Sequence, residues 1–382
     1  MSSSDVKELM REKTSLWDKL RIINKPIVLY GTGDGAAKIM TVLESRGIAF
    51  HDIFVSDDFY RGQSFCGRKV KTCGMIEKEY GDFVILVCFA SKLGEVMDRI
   101  NEYSRRHELY IPDVNVYGDV CEIFDDAYIE KNSENLSKVF SMISSERSRE
   151  FFITLLDYKY SGKPGYVYAL DALSDDNVPD DSNFTTFCDF GAYTGDTVRS
   201  YTKRFPSIKN VFAFEPEKKS FEKLSAYCDS EEFSASGRKA VLINGAAWHE
   251  NGKLGILDDK GRGASLESAT GEKYPLHSVR RRAITAIRPD GVFEGYPECF
   301  SGKGGVVMKY DVEGCERQAL SGSARTIAGC RPTVFLSCYH KNEDLLLPLF
   351  VKENIASGFE CRMRRAQRCI PAWETEFVLT FV

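Results

Sequence analysis

Short continuous apolar runs alternate with segments in which apolar residues recur every three or four positions, the patterns of buried strands and amphipathic helices. Residues 1 to about 24 carry Val6, Leu9, Trp17 and Leu20 at intermittent positions and read as one polar helix. Strands are expected over residues 27–30, 50–55, 83–89 and 109–111, with helices opening after Gly33 and running over about 92–105. Strands alternating with helices specify a parallel sheet covered on both faces, here a Rossmann-like domain over residues 25–118. From 119 to 160 the chain turns helical and charged, with Leu136, Val139, Phe140 and Ile143 on one face, and reads as a helical linker. The turn cluster Ser161-Gly162-Lys163-Pro164-Gly165 then opens a second domain over 161–382.

That second domain is organised around residues 186–216, TFCDFGAYTGDTVRSYTKRFPSIKNVFAFEP. An apolar run with Phe184, Phe187 and Phe190 breaks into a turn carrying Gly191 and Gly195. A helical segment follows, then a second apolar run over 211–214 that stops at Glu215-Pro216. Strand, glycine turn, helix, strand and acid make a parallel βαβ unit, with a ligand crevice at the carboxyl ends of its strands. Glycine lets the backbone approach a ligand where a Cβ would collide, and the acid can accept from both hydroxyls of a ribose. The spacing is Gly-x-x-x-Gly instead of the Gly-x-Gly-x-x-Gly of dinucleotide sites. It suits a nucleoside without phosphates, a description S-adenosylmethionine fits. After a third strand over 240–243, Asn244-Gly245-Ala246-Ala247 leave room for a flat base and offer it a backbone N–H. The Gly-, Ser- and Arg-rich segment 255–291, with GRGASLES and HSVRRRAITAI, is expected to be irregular, to lie over the crevice and to carry substrate contacts. Its Arg280-Arg281-Arg282 run would meet a phosphate or an acidic sugar, or form a solvated face.

A fourth strand over 306–310 ends in the densest polar cluster, MKYDVEGCERQAL. Lys309 and Asp311, two apart, share a face. Asp311, Glu313 and Glu316 crowd the strand end and the next helix start, where the helix dipole alone favours acids; Glu316 could simply pair with an arginine. A fifth strand over 333–337 delivers Cys338-Tyr339-His340-Lys341 to the same edge. His340 could take a proton from a hydroxyl, hold a metal, or be a satisfied structural histidine. Residues 360–365 and 374–382 alternate as an antiparallel edge hairpin would.

Of 382 residues 43% are apolar and 28% charged, with a net charge of −5, so the basic balance of a nucleic-acid binder is missing. No apolar run is long enough to span a bilayer. Twelve cysteines without a C-x-x-C pair or a secretory signal read as reduced, mostly buried thiols of a cytoplasmic protein. In the first domain Gly31, Gly33 and Ala36 fit a dinucleotide fingerprint, with a phosphate at the helix start and Asp57 or Asp58 at a ribose. The same glycines equally serve tight strand-to-helix packing.

DFGAYTGDT, FAFEP, MKYDVEGCERQALSG, and SCYH with Glu343-Asp344, in that order, resemble the conserved blocks of the FkbM family of S-adenosylmethionine-dependent methyltransferases over about residues 184–382. The chain is thus expected to be α/β with two Rossmann-like domains; for the second the resemblance implies a class I methyltransferase sheet of seven strands with an antiparallel edge hairpin. It implies O-methylation of a hydroxyl on a sugar, glycan precursor or polyketide-like small molecule, with no nucleic-acid or membrane partner; a homo-oligomer is left open. The cofactor set is then Asp189, Gly191, Ala192, Tyr193, Gly195 and Thr197 around the methionine end, Glu215 and Pro216 at the ribose, and Asn244 and Ala246 beside the adenine. Asp311, Glu313 and His340 match the blocks nearest the transferred methyl. Family members often show Thr-Leu-Asp-Asp before the fourth strand where this chain reads Thr285-Ala286-Ile287-Arg288-Pro289-Asp290, so an acid is missing on the substrate side. His340 would be the general base, with Asp311 orienting it or taking the proton itself. In a less favoured variant Asp311 and His340 grip Mg²⁺ or Mn²⁺ as a Lewis acid. Two other classes compete: a non-catalytic scaffold that keeps the fold, and a nucleotide-sugar oxidoreductase or epimerase centred on residues 31–36, which lacks a Tyr-x-x-x-Lys relay.

Overall fold

The computed structural model describes residues 5–175, 183–235, 237–258, 265–267, 280–301 and 305–382. The chain divides into two compact units. One comprises Met1–Ser141, Ser145–Asp175 and Met363–Thr375; the other comprises Met142–Ser144, Asp176–Arg362 and Glu376–Val382.

The first unit is built on five parallel strands in the order Lys71–Thr72, Asp52–Val55, Ile27–Tyr30, Val84–Val87, Glu108–Tyr110. Two of the three inner strands, IVLY and VILV, are wholly apolar and buried at every position. Burial on both faces is why they are continuous apolar runs without alternation. The helix expected over residues 1–24 is two short ones, Val6–Leu9 and Leu16–Ile22. The backbone N–H groups of Arg11 and Glu12 donate to the buried Asp157 carboxylate (2.9 and 3.1 Å) instead of to the preceding turn. Ser15 then caps a new helix by accepting from Asp18 N–H. Residues 119–160 are not a linker: Asp126–Met142 and Glu146–Ser161 fall almost wholly within this unit. The 161–165 turn is a corner inside the same unit. Gly162 ends one helix in the left-handed region (φ +64°), and Pro164 opens the next, Pro164–Leu173.

The second unit holds a seven-stranded sheet in the order Lys239–Ile243, Asn210–Phe214, Thr186–Phe190, Val306–Tyr310, Thr333–Ser337, Thr375–Phe381, Phe359–Arg365. The first five run parallel and Thr375–Phe381 runs antiparallel to its neighbour, as expected. Thr186–Phe190 is central and wholly buried. Phe187 joins Val211, Val307 and Phe335 in one core cluster. On the opposite face Phe190 stacks on Tyr310 at 4.3 Å and meets Phe293 edge-on. The segment 255–291, expected to be irregular, contributes strands instead. Gly252–Asp258, Ser265–Glu267 and Arg280–Ile287 join Ala246–Ala247 in a separate four-stranded sheet. Ile284 and Ala286 are buried while Ala283 between strand neighbours is exposed, a period of two that marks a half-buried strand. Residues 259–264 and 268–279, hence most of GRGASLES, and the side chains of Arg280-Arg281-Arg282 lie outside the described residues. The twelve cysteines are free thiols, most of them buried. Among the described residues no helix is long and apolar enough to cross a membrane.

Candidate active site

The turn after Thr186–Phe190 is tied to its neighbouring strand by Gly191 and Ala192, whose N–H groups both donate to the Phe214 carbonyl at 3.0 Å. Gly191 sits at φ +91°, and a Cβ there would lie 1.9 Å from the Asp311 carbonyl oxygen. This glycine therefore permits a chain-to-chain approach within the protein, where a ligand approach was expected. Gly195 (φ +84°) precedes the helix Asp196–Arg204, and its Cβ would press on Tyr227 and Leu224. Ala192 points into the core cluster, Tyr193 is exposed at φ +45°, and Thr197 is half-buried in the first helical turn.

Glu215 follows Asn210–Phe214 and is buried. Its carboxylate accepts from Tyr193 N–H (2.8 Å) and Glu217 N–H (2.7 Å). Burial outweighs those two bonds and pushes the carboxyl up to about 7, with the charges of Glu217 and Glu313 adding. Pro216 is half-buried behind it. The Asn244 amide donates to the Glu215 carbonyl (2.9 Å), joining the ends of two adjacent strands. Ala246 is paired with Ala286 and buried against Ile284, in the core of the four-stranded sheet.

Asp189 is the sharpest feature. It is fully buried on the central strand, and neither carboxyl oxygen has a hydrogen-bond partner among the described residues. Its register neighbour is Lys309, but that ammonium is taken up by Asp311 at 2.7 Å. Burial therefore raises Asp189 to about 7; Lys309 opposes the rise, while Asp196, Asp311 and Glu215 add to it. A buried acceptor left unpaired is costly.

His340, Asp311 and Glu313 are brought together as expected. The imidazole is fully buried, with Nε2 3.3 Å from Asp311 and 3.2 Å from Glu313. On its other side Nδ1 lies 3.0 Å from Glu316, also fully buried. Burial alone would lower His340, but Glu316 and Glu313 outweigh it and hold the ring well above its ordinary value. Burial would raise Asp311; Lys309 and His340 instead keep it well below the usual carboxylate range. Asp311 also accepts from the Tyr339 hydroxyl (3.1 Å). Glu313, in the left-handed region at φ +58°, is half exposed.

Glu316 and Asp344 are the partners that sequence reasoning missed. Glu316 accepts from Val312 and Gly314 N–H (3.2 and 3.3 Å) and faces a histidine; the alternative of an arginine partner is not the one realised at this oxygen. Asp344 is buried and accepts from Lys341 N–H (2.8 Å); burial, then Glu316, push it up to about 8. Glu316, His340 and Asp344 each bring one ligand-type atom within 4.8 Å of the others. With Nδ1 at hydrogen-bond distance from Glu316, the trio is arranged as an ion pair with a neighbouring acid. In the first unit, a Cβ on Gly31 would strike the Phe89 ring (2.6 Å) and one on Gly35 the Cys88 carbonyl (2.4 Å), so these two glycines serve packing. Asp58 reaches Arg99 at 3.5 Å.

The sheet order, the antiparallel pair at its edge and the acids gathered at the parallel strand ends define a methyltransferase-type α/β fold. Residues 189–352 match the family model described as the methyltransferase FkbM domain, and this part of the chain is a domain of that family. The crystal structure of the methyltransferase FkbM from Methylobacillus flagellatus is similar over 93% of this chain and 90% of that one, at 16% identity and a TM-score of 0.66. The fibrillarin pre-rRNA processing protein of Methanococcus jannaschii shares 10% identity over 56% of this chain and 74% of that one, with a TM-score of 0.32. No curated protein matches the sequence.

Proposed function

We propose that the second unit is an S-adenosylmethionine-dependent O-methyltransferase acting on a hydroxyl of a sugar, a glycan precursor or a polyketide-like small molecule. The observation that carries the cofactor is Asp189, whose carboxyl beside the glycine turn has no hydrogen-bond partner among the described residues and fits an ammonium such as that of a methionine moiety. Glu215 fits the ribose, because each oxygen still has a lone pair beyond its one backbone N–H. S-adenosylmethionine, when bound, supplies the methyl as an electrophilic sulfonium.

The residues around the crevice then have mainly to align and to handle a proton. His340 is held well above its ordinary value by Glu316 and Glu313, so its ring is a poor base for the acceptor hydroxyl. Asp311 and Glu313 keep exposed carboxylate surface and are the groups an acceptor hydroxyl can reach. A low-lying Asp311 is adequate for this. It accepts the hydroxyl hydrogen bond and takes the proton late, when the alkylated oxygen has become a far stronger acid than any carboxyl.

Isothermal titration tests the reading. S-adenosylmethionine and S-adenosylhomocysteine are expected to bind, and NAD is not. Glu215→Ala should weaken both by at least about thirtyfold, roughly 2 kcal/mol for a charge-assisted bond, while a thermal melt confirms that the variant is folded. Silence in the wild type, or full affinity in a folded Glu215→Ala, would remove the assignment.

A further inference from the structure

We propose that Glu316 is a positioning residue for His340, and that it fixes the His340 ring as the buried cation which holds the Asp311 and Glu313 carboxylates at the crevice. The use made of those two carboxylates rests on the methyl-transfer reading; the geometry of the pair does not.

Glu316 is itself immobilised. One oxygen accepts two backbone N–H groups from the turn that carries Asp311 and Glu313, and its side chain is fully buried, as is that of His340. A carboxylate oxygen 3.0 Å from Nδ1 favours a proton on that nitrogen. On the other side Nε2 lies 3.3 and 3.2 Å from the Asp311 and Glu313 oxygens, within ion-pair reach of both. Those two acids would otherwise repel each other at the strand end, and each is placed against the same donor. The charged and titratable groups around the ring come from every packed element. Asp311 and Glu313 come from the loop after Val306–Tyr310, with Lys309 behind Asp311; Glu316 comes from the helix Glu316–Gly322 and Asp344 from the turn Asn342–Leu346. Tyr339 packs on the ring with centroids 4.1 Å apart, and Lys341 directs its ammonium to the Gly314 carbonyl at 2.8 Å. Of these, Glu316 places an oxygen 3.0 Å from Nδ1.

The test is the ring's protonation state, read by long-range ¹H–¹⁵N spectra of the full chain labelled at histidine. Four variants replacing His51, His107, His249 and His277 leave His340 as the assigned signal. In the wild type both ring nitrogens should stay protonated across about pH 6 to 8. Glu316→Gln should bring the midpoint down into that window, whereas Glu313→Gln should leave the ring protonated, because Asp311 and Glu316 still face it. A neutral His340 ring in the wild type at pH 7, or an unchanged signal in Glu316→Gln, overturns the proposal. So does a shift of Nδ1 on adding Mn²⁺ or Zn²⁺, which would mean that a metal takes the proton's place. The wild-type spectrum decides even if Glu316→Gln does not fold. Titration of the same samples with S-adenosylhomocysteine reports separately on the methyl-transfer reading, since its failure would not move the histidine signals.

Discussion

Replacing Gly191 by alanine is expected to destabilise the second unit heavily. Two independent penalties meet at this position. The backbone at φ +91° lies where an L side chain is strained by about 1–2 kcal/mol. The new methyl would also stand 1.9 Å from the Asp311 carbonyl oxygen, an obstacle of main chain that cannot rotate aside. Forcing a methylene into a packed site costs about 1–3 kcal/mol when neighbours can shift. Here the neighbour that would shift carries Asp311, so relief would pull that carboxylate from Lys309, its partner at 2.7 Å. A total of about 4 kcal/mol is a large share of the 5–15 kcal/mol typical of a domain. Urea denaturation should show the loss, together with the disappearance of S-adenosylhomocysteine binding. Gly165→Ala is the control: it lies in the helix Pro164–Leu173 with nothing within 4 Å of its Cβ and should be neutral or slightly stabilising. Equal denaturation midpoints for the two variants would show that the close approach at Gly191 is not a constraint.

The parts of this fold that are legible in the sequence are those set by local chemistry. TFCDF and NVFAF are continuous apolar runs because parallel central strands are buried on both faces, and glycine marks the turn between the first strand and its helix. His340, Asp311 and Glu313 are likewise found from their places at strand ends. Burial of a side chain, by contrast, depends on what packs over it. That His340 is sealed follows from Glu316 and Asp344, contributed by different elements, and Glu316 with Glu313 raises the ring well above its ordinary value. The break in the first helix depends on Asp157, more than a hundred residues away. The return of Met363–Thr375 to the first unit is a long-range event with no local signal. In the segment 280–287 the Arg-rich composition masks an alternation that Ile284 and Ala286 do carry.

Asp189→Asn is expected to make the protein more stable above neutral pH and worse at binding its cofactor. The folded-state carboxyl is raised from 3.8 to about 7, chiefly by burial. Between those values the native state binds a proton that the unfolded chain has released, so stability falls as pH rises from about 4 to 7 and stays at its lower level above. The displacement corresponds to about 4 kcal/mol at most. Asparagine is neutral throughout and removes this pH-dependent loss, although its own buried amide lacks partners, so a gain of about 1–2 kcal/mol at pH 8 is the reasonable expectation. At pH 4 the advantage should vanish. S-adenosylmethionine affinity should fall at least about tenfold, since a neutral amide gives up a charge-assisted bond to an ammonium. Urea titrations at pH 4 and 8, with calorimetry at pH 8, measure both arms. A site that is strained when empty and relieved when filled predicts opposite signs for the two. A variant that loses stability and affinity together at pH 8 would instead mean that Asp189 is held by partners within the protein and that its carboxylate belongs to the core.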